Sequence, residues 1–242
     1  MCGIISYIGK SDALQVLIKG LKCLEYRGYD SVVLAIGDEK HPFSLIKSVG
    51  RVENLAQKLA SMNVSGNVGI GHTRWATHGG VTEQNAHPHS SDDGKIILVH
   101  NGVIENCATI KHFLSEKGIH FYSDTDTEVL ANLIAFHYKS LADLPTSQRF
   151  EESVRISLLE LQGTYGIAVL CCDCPNELIG ARKSSPLILG VHEDGLFLAS
   201  DVSAFGGHTK DVVFLSDNEN SPNSLYILDC IVKITTFSSS VK

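Results

Sequence analysis

Short apolar runs alternate along the chain with longer stretches in which apolar residues recur three and four positions apart, a pattern that predicts strands and helices in turn. Strands are predicted at residues 2–8 (CGIISYI) and then at SVVLAIG, FSLIKSV, NVGIGHT and KIILVHNG, of which the last two end in polar residues. Further strands are predicted at about residues 165–172, 177–182, 187–192, 195–200 and 211–216, and a final one at LYILDCIVKIT.

The segments between these strands show the periodicity of helices. The stretch SDALQVLIKGLKCLEYRG predicts a helix with Ser11 as its N-cap and Gly28 as its stop. Other helices are predicted at RVENLAQKLAS, CATIKHFLSEKG, TDTEVLANLIAFHYKS and FEESVRISLLELQG. Thr125 and Glu128 form a capping box at the start of the TDTEVLANLIAFHYKS helix. The order of elements predicts an α+β fold in which mixed or antiparallel sheets are sandwiched by helices.

Length, composition and charge argue against several classes of protein. With 242 residues, 43% of them hydrophobic, the chain is most simply one large domain. A net charge of −7 argues against nucleic acid as a partner, because phosphate binding needs a basic face. No apolar run approaches the ~20 residues of a membrane span, and no signal peptide is recognisable. Seven cysteines without framework spacing favour a reduced, cytoplasmic setting.

Four short stretches are more polar than plain connections require. They are Cys2-Gly3, HTRWATHGG, HNG and SDTDTE. The last three either follow an apolar strand or open a helix, which are positions where loops present groups to a ligand.

Cys2 is the only cysteine that can become the N-terminal residue, once Met1 is removed. An N-terminal cysteine carries a nucleophilic thiol and, within the same residue, an α-amine able to take the thiol's proton. The alternative is that Cys2 is a small apolar residue at the start of a strand.

The other three stretches contain groups that could bind or polarise a substrate beside Cys2. The Asn101 amide and the Gly102 N–H can converge on one oxygen as an oxyanion hole, although Asn-Gly is also a common turn. Arg74 can bind a carboxylate, with Trp75 beside it, unless these two are a structural ion pair and a core tryptophan. Asp126 at the first helical position suits the helix dipole and can also bind an ammonium group. Together they describe a thiol attacking the side-chain amide of bound glutamine.

The motifs MCGI, LEYRGYDS, GIGHTRWATHG, NAHPH, VHNGVIEN and SDTDTE, in this order, resemble the glutaminase domain of the glutamine–fructose-6-phosphate aminotransferase (isomerizing) family. The segments ARKSSPLILGV and LASD extend the resemblance to about residue 201. It implies a four-layer αββα sandwich of the N-terminal nucleophile hydrolase type. It also implies hydrolysis of L-glutamine without a cofactor or metal, the ammonia passing to fructose 6-phosphate.

The resemblance implies roles for two groups of residues. The catalytic group comprises Cys2 as nucleophile with its amine as base, Asn101 and Gly102 as the oxyanion hole, and Arg27, which orders the site. The glutamine-binding group comprises Arg74 for the α-carboxylate, Asp126 for the α-ammonium, Thr77 and His78 along the pocket, and Trp75, which gates ammonia.

The chain also departs from the family pattern. Ser6 stands where family members usually have glycine, Val32 and Val33 replace a smaller pair, GGVTEQ differs from the usual stretch, and the match fades beyond residue 205. Relatives continue into sugar isomerase domains and form homo-oligomers. We therefore expect a single glutaminase domain over residues 2–242 without the isomerase domains.

Three alternatives remain open at this stage. The chain could be a standalone amidotransferase with a different ammonia acceptor, or a non-catalytic glutamine-sensing domain. A metal or redox protein is the third alternative, on the basis of CCDC at 171–174 and the pair His87 and His89, although no second C-x-x-C accompanies the first.

Overall fold

The computed structural model describes residues 2–75, 82–217 and 230–235. The strands of this part are β1 (Gly3–Gly9), β2 (Ser31–Gly37), β3 (Ser44–Val49), β4 (Val68–Arg74), β5 (His89–Ser90), β6 (Ile96–Ile104), β7 (Gly163–Cys171), β8 (Glu177–Lys183), β9 (Ile188–His192), β10 (Gly195–Ala199), β11 (Asp211–Phe214) and β12 (Cys230–Thr235). The helices are α1 (Ala13–Leu24), α2 (Val52–Ala60), α3 (Cys107–Glu116), α4 (Asp126–Ser140) and α5 (Thr146–Leu159), with short 3-10 helices at Glu25–Arg27 and Val202–Phe205.

The strands form two sheets whose ladders are antiparallel throughout. The first has seven strands in the order β11-β9-β10-β1-β4-β2-β3, and the second has five in the order β12-β8-β7-β6-β5. The first strand of the chain therefore lies inside the larger sheet, between β10 and β4.

Side chains alternate between the two faces of each sheet and so create three layers of core. On β1, Ile5 packs with α1 and α2, whereas Ile4 packs between the sheets. On β7, Val169 packs with α3, α4 and α5, whereas Leu170 packs between the sheets. The layers run helices, sheet, sheet, helices, which confirms the predicted αββα sandwich.

Several helix boundaries differ from the prediction. Asp12, not Ser11, caps α1, because the Asp12 carboxylate accepts a hydrogen bond from the Leu14 N–H at 3.0 Å. The Ser11 N–H is bonded instead to the Tyr7 hydroxyl at 3.1 Å. Helix α5 begins at Thr146, four residues earlier than the start of FEESVRISLLELQG at residue 150.

The capping box of α4 is half confirmed. Thr125 caps the helix, with its hydroxyl accepting from the Glu128 N–H at 3.3 Å. The Glu128 carboxylate turns away from the cap residue and accepts from the N–H groups of Tyr122 and Ser123 at 2.8 and 2.7 Å. This bonding fixes the loop that leads into α4.

The last predicted strand is confirmed over Cys230–Thr235, while residues 225–229 lie outside the described residues. The six cysteine side chains that the structure describes are free thiols. Within the described ranges, no helix combines the length and apolar character needed to cross a membrane.

Candidate active site

Cys2 immediately precedes β1, at the end of the seven-stranded sheet where β4 also finishes. The next two backbone N–H groups are fixed by neighbouring strands, Gly3 by the Thr73 hydroxyl at 3.2 Å and Ile4 by the Ser200 hydroxyl at 2.9 Å. The Trp75 backbone N–H lies 3.3 Å from the Cys2 sulfur. The Cys2 thiol lies in turn 3.6 Å from the Trp75 carbonyl oxygen, so the Trp75 backbone holds the sulfur through both of its polar groups.

Asn101 approaches Cys2 from the other sheet. The Asn101 side-chain nitrogen donates to the Cys2 carbonyl oxygen at 3.0 Å. The prediction that the strand ends at HNG is wrong, because β6 continues to Ile104 and pairs with β7 along its whole length. The alternative of an Asn-Gly turn is wrong for the same reason.

Gly102 occupies a conformation that suits glycine alone among the common residues. Its φ is +143°, and a Cβ at this position would collide with the carbonyl oxygen of Thr164 on β7. The absence of a side chain lets β6 continue past Asn101 while the Gly102 backbone stays open to the space in front of Cys2.

These groups meet in one cavity of about 350 Å³ between the ends of the two sheets. Six of the predicted site residues line it: Cys2, Arg27, Arg74, Trp75, Asn101 and Gly102. The sequence reasoning missed the other lining residues, which are His87, His100, Val103, Asp124, Thr125, Ser185 and Pro186. Thr77 and His78 lie outside the described residues.

Two arginines bring positive charge to the cavity wall. Arg74 ends β4 and is 6% exposed. Arg27 donates to the Asp201 carboxylate at 2.8 Å and to the Ser200 carbonyl oxygen at 3.3 Å. Trp75 is no core residue: it is 44% exposed and its ring meets the edge of Tyr29 at 5.6 Å between centroids.

Asp126 lies beside the cavity, next to the lining residue Thr125, rather than on its wall. One of its oxygens accepts from the Ile104 N–H at 2.9 Å, and the other lies 3.7 Å from the His100 Nδ1. Burial raises the pKa of Asp126, but hydrogen bonding and charge interaction with His100, together with the Ile104 N–H, outweigh it and hold the pKa below its ordinary value. Asp126 is therefore an ionised carboxylate at neutral pH.

Buried histidines surround this wall, and the sequence predicted no glutaminase role for any of them, His87 and His89 having been considered only as metal ligands. The ring of His87 lies 4.5 Å from that of His72 and 5.1 Å from that of His89, between centroids. Burial lowers the pKa of His72 and of His89 to about 3, and that of His87 well below its ordinary value. All three rings are neutral at pH 7. In the sequence, His72 lies in the motif GIGHTRWATHG, and His87 and His89 lie in NAHPH.

The metal alternative finds no support at CCDC or at the pair His87 and His89. Among the described residues, the single group of three or more His, Cys, Asp or Glu side chains whose ligand atoms lie close enough to share an ion is His192, Glu193 and Asp194, at the end of β9 and in the turn to β10. This turn does not border the cavity that contains Cys2.

Residues 33–142 match the family model described as "Glutamine amidotransferase domain". The chain contains a glutamine amidotransferase domain. It is 48% identical over 219 residues to a glutamine–fructose-6-phosphate aminotransferase (isomerizing) of Thermococcus kodakarensis, an alignment that covers 90% of this chain and 35% of the relative. The similarly named protein of Methanosarcina acetivorans is 46% identical over 238 residues, which is 95% of this chain and 38% of the relative.

The fold is similar to that of a solved glutamine phosphoribosylpyrophosphate amidotransferase from B. subtilis, with a TM-score of 0.72 and 27% identity. That match covers 89% of this chain and 47% of the other. The resemblance inferred from the motifs is thereby confirmed, and so is the amidotransferase fold. The chain spans about a third of the length of the curated relatives that it matches, 35% in the first case. The boundary of 2–242 for this amidotransferase domain stays a prediction.

The neutral histidines of the amidotransferase domain should make its stability depend on pH. Their pKa values are lowered in the folded state, so the unfolded chain binds more protons between about pH 3 and 6.5. We expect the stabilising contribution to be complete above pH 6.5 and to be lost on acidification, by up to ~1.4 kcal/mol per pH unit for each histidine.

Urea unfolding between pH 5.5 and 7.5 would measure this slope. His89→Gln should reduce it by about one proton near pH 5.5, whereas His112→Gln, at a side chain that is 79% exposed, should leave it unchanged. Equal slopes for wild type and His89→Gln would show that His89 is protonated in the folded protein.

Proposed function

We propose that this domain hydrolyses L-glutamine to L-glutamate and ammonia with Cys2 as an N-terminal nucleophile. The observation that carries the proposal is the contact of 3.0 Å between the Asn101 amide nitrogen and the Cys2 carbonyl oxygen, which joins residues of two sheets at one cavity. Met1 must be removed first, so that the α-amine of Cys2 becomes free.

The reaction then proceeds by nucleophilic catalysis. The amine of Cys2 takes the thiol proton, and the thiolate attacks the side-chain carbonyl carbon of glutamine. The tetrahedral intermediate expels ammonia, which receives its proton from the N-terminal ammonium, and a thioester remains. Water, deprotonated by the same amine, attacks the thioester, releasing glutamate and restoring the thiol.

Charge on the carbonyl oxygen develops during each attack. The Asn101 amide and the Gly102 N–H are the donors that we assign to this oxygen, since both residues line the cavity beside Cys2. The Trp75 N–H, 3.3 Å from the Cys2 sulfur, holds the sulfur at the cavity.

The two charged groups on the α-carbon of glutamine need partners of opposite charge. We assign the α-carboxylate to Arg74 and the α-ammonium to the ionised Asp126, with Thr77 and His78 completing the pocket. Arg27 orders the wall behind Cys2 through its bonds to Ser200 and Asp201. We assign to the exposed Trp75 ring the gating of the ammonia that leaves.

Replacing the nucleophile tests this assignment most directly. We expect Cys2→Ala to abolish ammonia release with little change in melting temperature, because alanine removes the thiol but keeps the start of β1. Cys23→Ala, on α1, is the matched control and should retain activity. The electrophile 6-diazo-5-oxo-norleucine should label Cys2 and none of the other cysteines in peptide mapping. Activity of Cys2→Ala within tenfold of wild type would contradict the proposal.

Steady-state kinetics should separate the binding residues from the oxyanion hole. Arg74→Ala and Asp126→Ala should act mainly on KM, because the α-carboxylate and α-ammonium change little during attack, at a cost on the order of 1.5–3 kcal/mol each. Asn101→Ala should instead lower kcat by ~10²–10³, because its amide meets charge near the transition state. An Asn101→Ala variant with raised KM and unchanged kcat would rule out the oxyanion role.

For the whole protein we propose that the ammonia reaches fructose 6-phosphate on a sugar isomerase domain, as the names of the relatives suggest. A cytoplasmic location is the natural one for a domain with so many free thiols. A standalone amidotransferase with another acceptor is the competing possibility, and the identity of 48% to the fructose-6-phosphate enzyme favours the first.

The acceptor proposal predicts a division of products. The 242-residue chain incubated with glutamine and fructose 6-phosphate should form glutamate and ammonia without glucosamine 6-phosphate. Addition of an isomerase domain from a relative should restore the sugar product, as measured by mass spectrometry. Glucosamine 6-phosphate made by this chain alone would overturn the proposed division.

A further inference from the structure

The orientation of the Asn101 amide follows from its two neighbours. The Cys2 carbonyl oxygen can only accept a hydrogen bond, so the Asn101 atom that faces it at 3.0 Å is the nitrogen. The Asn101 oxygen then faces Nε2 of His72, also at 3.0 Å. An amide oxygen can only accept, so Nε2 of His72 carries the hydrogen.

His72 is suited to hold this hydrogen on one nitrogen. Burial lowers its pKa to about 3, so the ring is neutral and carries a single N–H. Among the described residues, Nδ1 of His72 has no hydrogen-bond partner, whereas Nε2 has Asn101. The neutral tautomer with its proton on Nε2 therefore satisfies the contact.

The backbone beneath His72 is rigid. His72 lies on β4 opposite Ile4 of β1 and Val33 of β2, so ladders hold it on both sides, and its side chain is inaccessible to solvent. Its ring reaches from the seven-stranded sheet to a side chain of the five-stranded sheet. The ring of His87, at 4.5 Å, packs against it.

We propose that His72 is a positioning residue, whose Nε2–H holds the Asn101 oxygen so that the Asn101 amide presents its second N–H to the reacting oxygen. This proposal rests on the proposed glutaminase function. The amide nitrogen has two hydrogens, of which one is bonded to the Cys2 carbonyl oxygen and the other remains for the cavity. Without His72 the amide keeps only its bond to the Cys2 carbonyl oxygen and can tilt about it, which misdirects the remaining N–H away from the developing negative charge.

Two substitutions of similar polarity test the role. In His72→Gln the side-chain amide nitrogen reaches the place of Nε2, whereas in His72→Asn it reaches only the place of Nδ1. We expect His72→Asn to lower kcat about 10–100-fold with KM for glutamine within about threefold, since part of the contribution of an oxyanion donor is lost. His72→Gln should recover most of the wild-type kcat.

A double variant separates positioning from general damage to the fold. If His72 acts through Asn101, adding His72→Asn to Asn101→Ala should lower kcat by no more than about twofold beyond Asn101→Ala alone. A further tenfold loss, or equal losses in His72→Gln and His72→Asn at equal melting temperatures, would overturn the proposal. Unchanged kcat in His72→Asn would overturn it as well.

A measurement that does not depend on activity keeps this proposal distinct from the proposed function. Hydrogen exchange of the Asn101 side-chain amide, followed by NMR, should accelerate at least tenfold in His72→Asn and stay near the wild-type rate in His72→Gln. Unchanged exchange in His72→Asn would overturn the positioning role even with glutaminase intact. A wild-type protein without ammonia release, whose Asn101 still exchanges as expected, would instead overturn the proposed function.

Discussion

The packing of two antiparallel sheets face to face is the constraint on which the site depends. Ile4 of β1, Leu198 of β10 and Val99 of β6 are inaccessible to solvent between the sheets and fix their separation. Because Cys2 precedes Ile4 and Asn101 follows Val99 by two residues, the same packing brings the ends of β1 and β6 together. Cys2 and Asn101, whose amide nitrogen lies 3.0 Å from the Cys2 carbonyl oxygen, are thus held together by a core that lies outside the proposed chemistry.

Much of the fold was predictable because local rules act within single elements. Thr125 is the N-cap of α4 since its hydroxyl reaches a backbone N–H only three residues away. The choice between Ser11 and Asp12 is different, because both are good caps. Tyr7, a residue of β1, settles it by bonding the Ser11 N–H. Periodicity cannot supply such tertiary contacts, and β5, with only two residues, was too short for it to detect.

Site residues could be predicted where a short motif shows their chemistry. They could not be predicted where their role depends on a contact with the other sheet. Cys2, Arg74 and Asn101 lie in stretches that are more polar than their surroundings. His72 sits inside a strand, and its relevance follows from an oxygen 29 positions later in the chain. Asn101 and Gly102 had the composition of a turn, but pairing with β7 keeps this segment extended, with φ of +143° at Gly102.

Because β1 lies inside its sheet, it has two neighbouring strands, and these are synthesised at different times. Its neighbours are β4, which ends at Arg74, and β10, which begins only at Gly195. Translation at about 5–20 residues per second places the synthesis of β10 on the order of ten seconds or more after that of Cys2. The first strand cannot complete both of its ladders during this interval. The surroundings of Cys2 are therefore completed late in synthesis, once β10 and the Ser200 hydroxyl that bonds the Ile4 N–H have been made.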